Sequence, residues 1–299
     1  MNGRWVASGI LALGALLGAS ALQAQQCNQD ELGFDCPESW GMKYYTSVSL
    51  FTGLGVPERR AAGSFELGFE GGWVPQLSDD ERRLGFNGTK LEDTNKTPVF
   101  GRIRATVYGP GGLSVSAGVV PPLEVGGAKP LLFDAALGLP LVERDALRVG
   151  GRVYGQVGTV QGDITCDAQT VSYGSDPVRN PFLCEEPSED EVTQRYAGVE
   201  LSAAFPHGAL EPYVAASVNY LDMVFEVRAR YSGVTDRRDM QASGVTYAGA
   251  AGLRYRLSEA LSLTGELFYT PLGIVRPPAT VAATEALLNA RAMVSWRVR

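Results

Sequence analysis

"SFELGFEGGW", residues 64–73, is the stretch on which the fold turns. Phe65, Leu67, Phe69 and Trp73 share one parity, and Ser64, Glu66, Gly68 and Glu70 share the other. Successive strand side chains point to opposite faces, so this is a β-strand with one apolar and one acidic face. In a water-soluble barrel the apolar face forms the core. In a membrane barrel it meets lipid, and the glutamates point into the lumen.

The same alternation recurs along the chain. It runs through residues 42–52 (Met42, Tyr44, Val48 and Leu50 on one parity), 99–108, 113–120, 131–141, 147–160, 195–205, 210–220, 245–257, 261–269 and 286–298. That gives about eleven strands, most near the ~9–11 residues that cross a bilayer when tilted. No helical period of similar length appears after residue 24. Short connections (109–112, 142–146, 206–209, 256–260) alternate with long ones (75–97, 121–130, 161–193, 232–241, 270–284). This is the mark of antiparallel neighbours trimmed at one end. The fold class is therefore all-β: an antiparallel up-and-down transmembrane β-barrel. With both termini on one side the strand number must be even. About twelve strands is the reading, with ten as the alternative. The difference rests on residues 27–41, as a strand or a lumenal plug, and on an apparent change of parity at Leu221-Asp222-Met223. Within loop 75–97, Asn87-Gly88 suits a tight hairpin turn.

Composition agrees. There are 36 glycines in 299 residues, about 12%, against a usual share of ~7%. The net charge of −7 argues against nucleic acid as a partner. Arg4, the apolar run "ILALGALLGASALQA" and small residues up to Ala24 read as a cleaved signal peptide over 1–24. Residues 25–41 are then an N-terminal segment with a cysteine pair, and 42–299 the barrel. Gln25 and Gln26 before Cys27 exclude a lipid-attachment signal. Cys27 and Cys36 are close in sequence, as are Cys166 and Cys184, and neither pair has C-x-x-C spacing. With one histidine in the chain, no metal site is expected. Two local disulfides in an oxidising compartment are expected instead.

Three features turn the apolar face outward. It is almost free of charge, whereas the polar face carries both signs: Glu66, Glu70, Asp134, Glu200, Glu211 and Glu266 against Arg102, Arg104, Arg148, Arg152, Arg254, Arg291 and Arg297. That face uses arginine and almost no lysine, as suits confined ion pairs. Tyr44, Trp73, Tyr108, Tyr220, Tyr269 and Trp296 fall near strand ends, where bilayer girdles occur. On these residues the chain resembles the small single-chain outer-membrane β-barrel proteins of Gram-negative bacteria, of OmpA/OmpW-like architecture. The resemblance covers residues 42–299. It implies residence in the outer membrane, with lipid, lipopolysaccharide and the assembly machinery as partners. Such chains usually end in an aromatic residue. Here the aromatic is Trp296, three places before Arg299.

Catalysis is not expected. Enzymes of this architecture use a histidine near the outer rim, and His207 lies in the short turn "FPHGAL". No cofactor is implied. The acidic loop residues Asp79, Asp80, Glu81, Glu185, Glu186, Glu189, Asp190 and Glu191 read as solvated surface, with divalent-cation binding as the sharper alternative. The expected function is a non-enzymatic barrel with a charged, largely filled lumen and a structural or surface-interaction role. A narrow channel for a small solute is the alternative, and a soluble exported ligand-binding barrel the alternative of another class.

Overall fold

A computed structural model describes Cys27 and residues 30–298; the signal-peptide reading of 1–24 lies outside the described residues. The first element is a helix, α1 (Pro37–Val48). An extended tail follows it and leads to β1 (Phe65–Trp73). The chain then forms a small hairpin of β2 (Arg83–Leu84) and β3 (Lys90–Leu91). It returns as β4 (Val99–Tyr108), β5 (Ser114–Val120), β6 (Lys129–Arg144) and β7 (Leu147–Gly162). A short β8 (Cys184–Glu186) precedes β9 (Asp190–Ala204), β10 (Leu210–Tyr231), β11 (Val234–Arg256), β12 (Leu261–Ile274) and β13 (Ala283–Val298).

Among the described residues, ten strands close on themselves antiparallel. The circuit runs β1-β4-β5-β6-β7-β9-β10-β11-β12-β13 and is sealed where Phe65 pairs with Val298 and Gly72 with Arg291. β8 pairs only with the far end of β10. The count is therefore ten, the alternative, and not twelve. Residues 42–52 account for part of the difference. They form the latter part of α1 and the start of its tail, so the wall begins at Phe65 and not at residue 42. The apparent period of two there was interrupted by Thr46 and did not mark a strand.

The opening stretch is settled by exposure. Phe69 and Trp73 are 56% and 51% exposed on the outer face, while Glu70 is 4% exposed inside. Around the wall Val115, Phe133, Leu137, Val157, Val199, Leu201, Leu267 and Val294 also face outward. Backbone donors and acceptors are paired from strand to strand right round the barrel, and on both sides of β7 and β9 over nearly their whole length. A closed barrel needs this in hydrocarbon, where an unpaired peptide group costs several kcal/mol. Trp73, Tyr220, Tyr269 and Trp296 are exposed on the outer face. Tyr44 and Tyr108 are not girdle residues: Tyr44 lies in α1 and Tyr108 points inward.

β10 and β11 run past the lipid-facing belt to a two-residue turn at Ser232-Gly233, so the long loop expected over 232–241 is strand. Their register is unbroken through Leu221-Asp222-Met223, and there is no bulge. What changes is the solvent. Leu221, Met223 and Val227 stay on the inward parity but are apolar, because there they pack against α1 and the loops. The outward parity becomes polar, with Asp222, Glu226 and Arg228. At the hairpin of β2 and β3, Phe86, Asn87 and Gly88 all have positive φ, so the Asn87-Gly88 signal marked a real turn.

Short turns (109–113, 145–146, 205–209, 257–260) gather at one end, with the start of β1 and the end of β13. By the usual arrangement of such barrels this end is periplasmic and the long-loop end faces outward. Both termini were expected in the periplasm. Instead residues 30–36 lie at the outer end, where Glu31 bridges to Gln241 of β11.

Candidate functional site: the plugged lumen

A barrel of about eight strands is just filled by its own side chains. Ten strands leave a wider bore, and a helix with its side chains is ~10–12 Å across. α1 takes that space. Pro37 at its first position and Glu38 in its first turn start it well. Eleven of its twelve residues are buried, so it has no solvent-facing stripe. Lys43 donates to Gly273 O at 2.6 Å and Tyr44 to Pro75 O, which fixes the outer half of the helix. The Cys27–Cys36 disulfide ties Cys27 to the helix start, and Cys166–Cys184 closes the long outer loop.

The C-terminal end of α1 carries no basic residue of its own. The last turn of a helix presents unpaired carbonyls and partial negative charge. Wall arginines supply the cations. Arg291 donates to Val48 O at 3.1 Å, to Ser47 O at 3.3 Å and to Leu50 O, and its guanidinium lies 4.1 Å from the Phe268 ring centre. Arg102 donates to Ser49 O and, at 2.9 Å, to Gln156 Oε1. Arg104 reaches Thr52 O at 2.6 Å, and Arg254 reaches Leu54 O at 3.1 Å.

The same arginines meet the wall carboxylates. Arg102 lies 2.9 Å from Asp134 and 3.3 Å from Glu70, and Arg104 pairs with Glu70. Arg152 pairs with Glu200, whose other oxygen accepts Gly53 N at 3.1 Å. Arg148 bridges Glu211 at 2.7 Å and Glu58 at 3.1 Å. Some of these residues are not joined as neighbouring-strand pairs. Glu266 faces Arg291 in register, yet its oxygens accept from Thr52 at 2.6 Å and Tyr213 at 2.9 Å. Glu66 pairs with Arg60 of the tail at 2.9 Å.

The tail is shaped to the wall. A Cβ on Gly53 would fall on the Arg152 guanidinium, and one on Gly55, at φ +128°, on that of Arg254. Near the inner end, Arg59 pairs with Glu143 at 3.1 Å. Burial alone would raise the pKa of Glu58, but Arg254, Arg60 and Arg148 outweigh it and hold the group at about 2. Glu58 and the tail carbonyls were not singled out by sequence. Pro37-Glu38 and Gly53-x-Gly55 were the available signals.

His207 is exposed in its short turn, at the end opposite the long loops. Among the described residues no group of three or more His, Cys, Asp or Glu side chains could hold a metal ion. Of the loop carboxylates, Asp79 pairs with Arg82 at 3.4 Å and Glu185 with Arg230 at 2.8 Å, whereas Asp190 is not solvated surface: it is buried and accepts Thr165 N at 2.6 Å and Arg228 N at 2.9 Å.

A closed antiparallel wall with an apolar outer belt, charges inside and trimmed turns at one end is the architecture of an outer-membrane-type β-barrel. No family model matches the chain, and no curated protein matches it. Solved structures resemble it over most of its length. Neisserial surface protein A is 11% identical with a TM-score of 0.32, over 78% of this chain and 97% of that one. The outer membrane protease OmpT of Escherichia coli is 9% identical with a TM-score of 0.39, over 79% and 92%. The translocator domain of autotransporter NalP of Neisseria meningitidis is 10% identical with a TM-score of 0.44, over 81% and 90%. At these identities the likeness concerns fold alone.

Proposed function

We propose that this is a non-enzymatic, non-conducting barrel with a structural or surface-interaction role, its lumen closed by its own N-terminal segment. One observation carries the reading: α1 and its tail run through the lumen from the outer end to the Arg59–Glu143 pair at the inner rim. A water path would have to displace buried ion pairs and helix-end hydrogen bonds. Breaking one such pair costs about 3–5 kcal/mol. The purified protein in a planar bilayer should show little or only intermittent conductance. A large, steady conductance would overturn the reading in favour of a solute channel.

A second reading, lateral passage of small apolar molecules, has one observation in its favour. β5 is short and ends at Pro121-Pro122, so residues 99–102 of β4 pair with β1 alone. A cavity of about 420 Å³ crosses the wall there, lined by outward Phe69, Val99 and Ile103 and by inward Tyr45 and Ser49. Lipids with a nitroxide on the acyl chain should then broaden the ring signals of Tyr45 in nanodiscs. An unaffected Tyr45 would remove this reading.

A further inference from the structure

Above the lipid belt a second cavity, of about 260 Å³, lies between α1, the upper wall and the long loops. It is close to the ~300–1,000 Å³ of pockets for drug-sized ligands. Phe86 lines it and is 44% exposed, so it reaches the outer surface. One side is apolar: Met42, Phe225, Val227 and Met240. The other collects polar groups whose hydrogen bonding is incomplete. Glu38 is only 9% exposed. Its Oε1 accepts Asn87 N at 2.6 Å, whereas its Oε2 has no hydrogen-bond partner among the described residues. Asn87 Oδ1, Thr94 Oγ1 and Thr165 Oγ1, on the same lining, are also without one.

Buried polar groups are almost always hydrogen-bonded, and leaving one unsatisfied costs about 1–3 kcal/mol, more for a charged group. Asn87 Oδ1 can only accept, and so can Glu38 Oε2 when the carboxyl is ionised. What would complete the site is therefore a donor. The charges point the same way. The lining carries three carboxylates, Glu38, Glu92 and Asp236, against two cations, Lys90 and Arg238. Lys90 is taken up by Glu92 and by Thr165 O at 2.6 Å. Asp236 accepts from Tyr231 at 2.6 Å. Of the three, Glu38 is the carboxylate with a fully buried oxygen left open.

We infer that this outer cavity binds a small molecule with an apolar body and a primary ammonium head, the head donating to Glu38 and Asn87. The apolar body lies against Met42, Phe225, Val227 and Met240. The inference goes beyond the closed-barrel reading and does not depend on it, because the cavity lies above the arginine-held part of the plug.

The test uses the full-length mature protein in nanodiscs, titrated calorimetrically with 2-phenylethylamine, 2-phenylethanol and 3-phenylpropionate. The amine should bind saturably, the alcohol about tenfold or more weakly, and the carboxylate not measurably; a charged hydrogen bond is worth ~1.5–3 kcal/mol, and each 1.4 is tenfold. Glu38→Gln should remove the preference of amine over alcohol. Met240→Trp, which fills the apolar side and leaves Glu38 in place, should abolish binding of both. Heat-modifiability shows whether each variant is folded, and if Glu38→Gln is not, Met240→Trp decides alone. No saturable amine binding, which would mean a cavity holding water only, overturns the inference. So does equal binding of amine and carboxylate, or an unchanged amine affinity in a folded variant.

Discussion

Deleting residues 27–60 is expected to turn a silent barrel into a steadily conducting one, with conductance at least tenfold above the unmodified protein. The deletion removes α1 and its tail but no residue of the sealing register, which starts at Phe65. The wall should still form, because its lipid-facing belt and strand pairing lie wholly within residues 65–298. Arginines that now bond helix carbonyls would be hydrated instead, so no charge is left both buried and unpaired. The band should still shift on heating in a gel, which separates an open barrel from a misfolded one. A folded but silent deletion variant would mean that wall side chains alone close the bore.

The second large effect is on stability. Arg102 has no exposed side-chain surface, and it joins Glu70, Asp134, Gln156 and the end of α1. Arg102→Met keeps the volume and removes the charge. Asp134 then loses its one ion pair among the described residues, and Glu70 is left with Arg104 alone. The expected loss is about 3–5 kcal/mol, the usual cost of removing one partner of a buried pair. It should be read as a lower urea midpoint for unfolding in detergent. Arg102→Met with Asp134→Leu should recover part of it. Arg179, 65% exposed and 4.0 Å from Asp176, is the control: an exposed pair is worth ~0–1 kcal/mol. Equal effects at the two arginines would contradict the account.

Much of the wall could be read from parity alone. In β1 the outward Phe65, Leu67, Phe69 and Trp73 are apolar and the inward Glu66, Gly68, Glu70 and Gly72 are glycine or acidic, and arginine on the inner face of β4 and β7 pointed to confined ion pairs. Where parity misled, the environment had changed rather than the strand. Leu221, Met223 and Val227 sit on the inner side of an uninterrupted β10. Above the bilayer that side is a core and the other side is wet, so the pattern inverts with no bulge.

The plug was hidden for a different reason. A surface helix betrays itself by an apolar stripe. α1 is enclosed on all sides, by apolar wall residues such as Leu221, Phe268 and Leu272 as well as by polar ones, and it mixes Trp40, Met42 and Tyr44 with Glu38, Lys43 and Ser47. Its short length left Pro37-Glu38 as the only start signal. The partners of Arg291 were also out of reach, since they are backbone carbonyls that no side-chain pattern encodes.

The central claim is that α1 and its tail are fixed inside the barrel. Amide hydrogen exchange on the protein in nanodiscs tests it most directly. Peptides covering 37–56 should exchange as slowly as those from the wall at 131–139, because both are buried and hydrogen-bonded. If 37–56 exchanged within seconds while the wall stayed protected, the lumen would hold a loose, hydrated segment, and the plugged barrel would be contradicted.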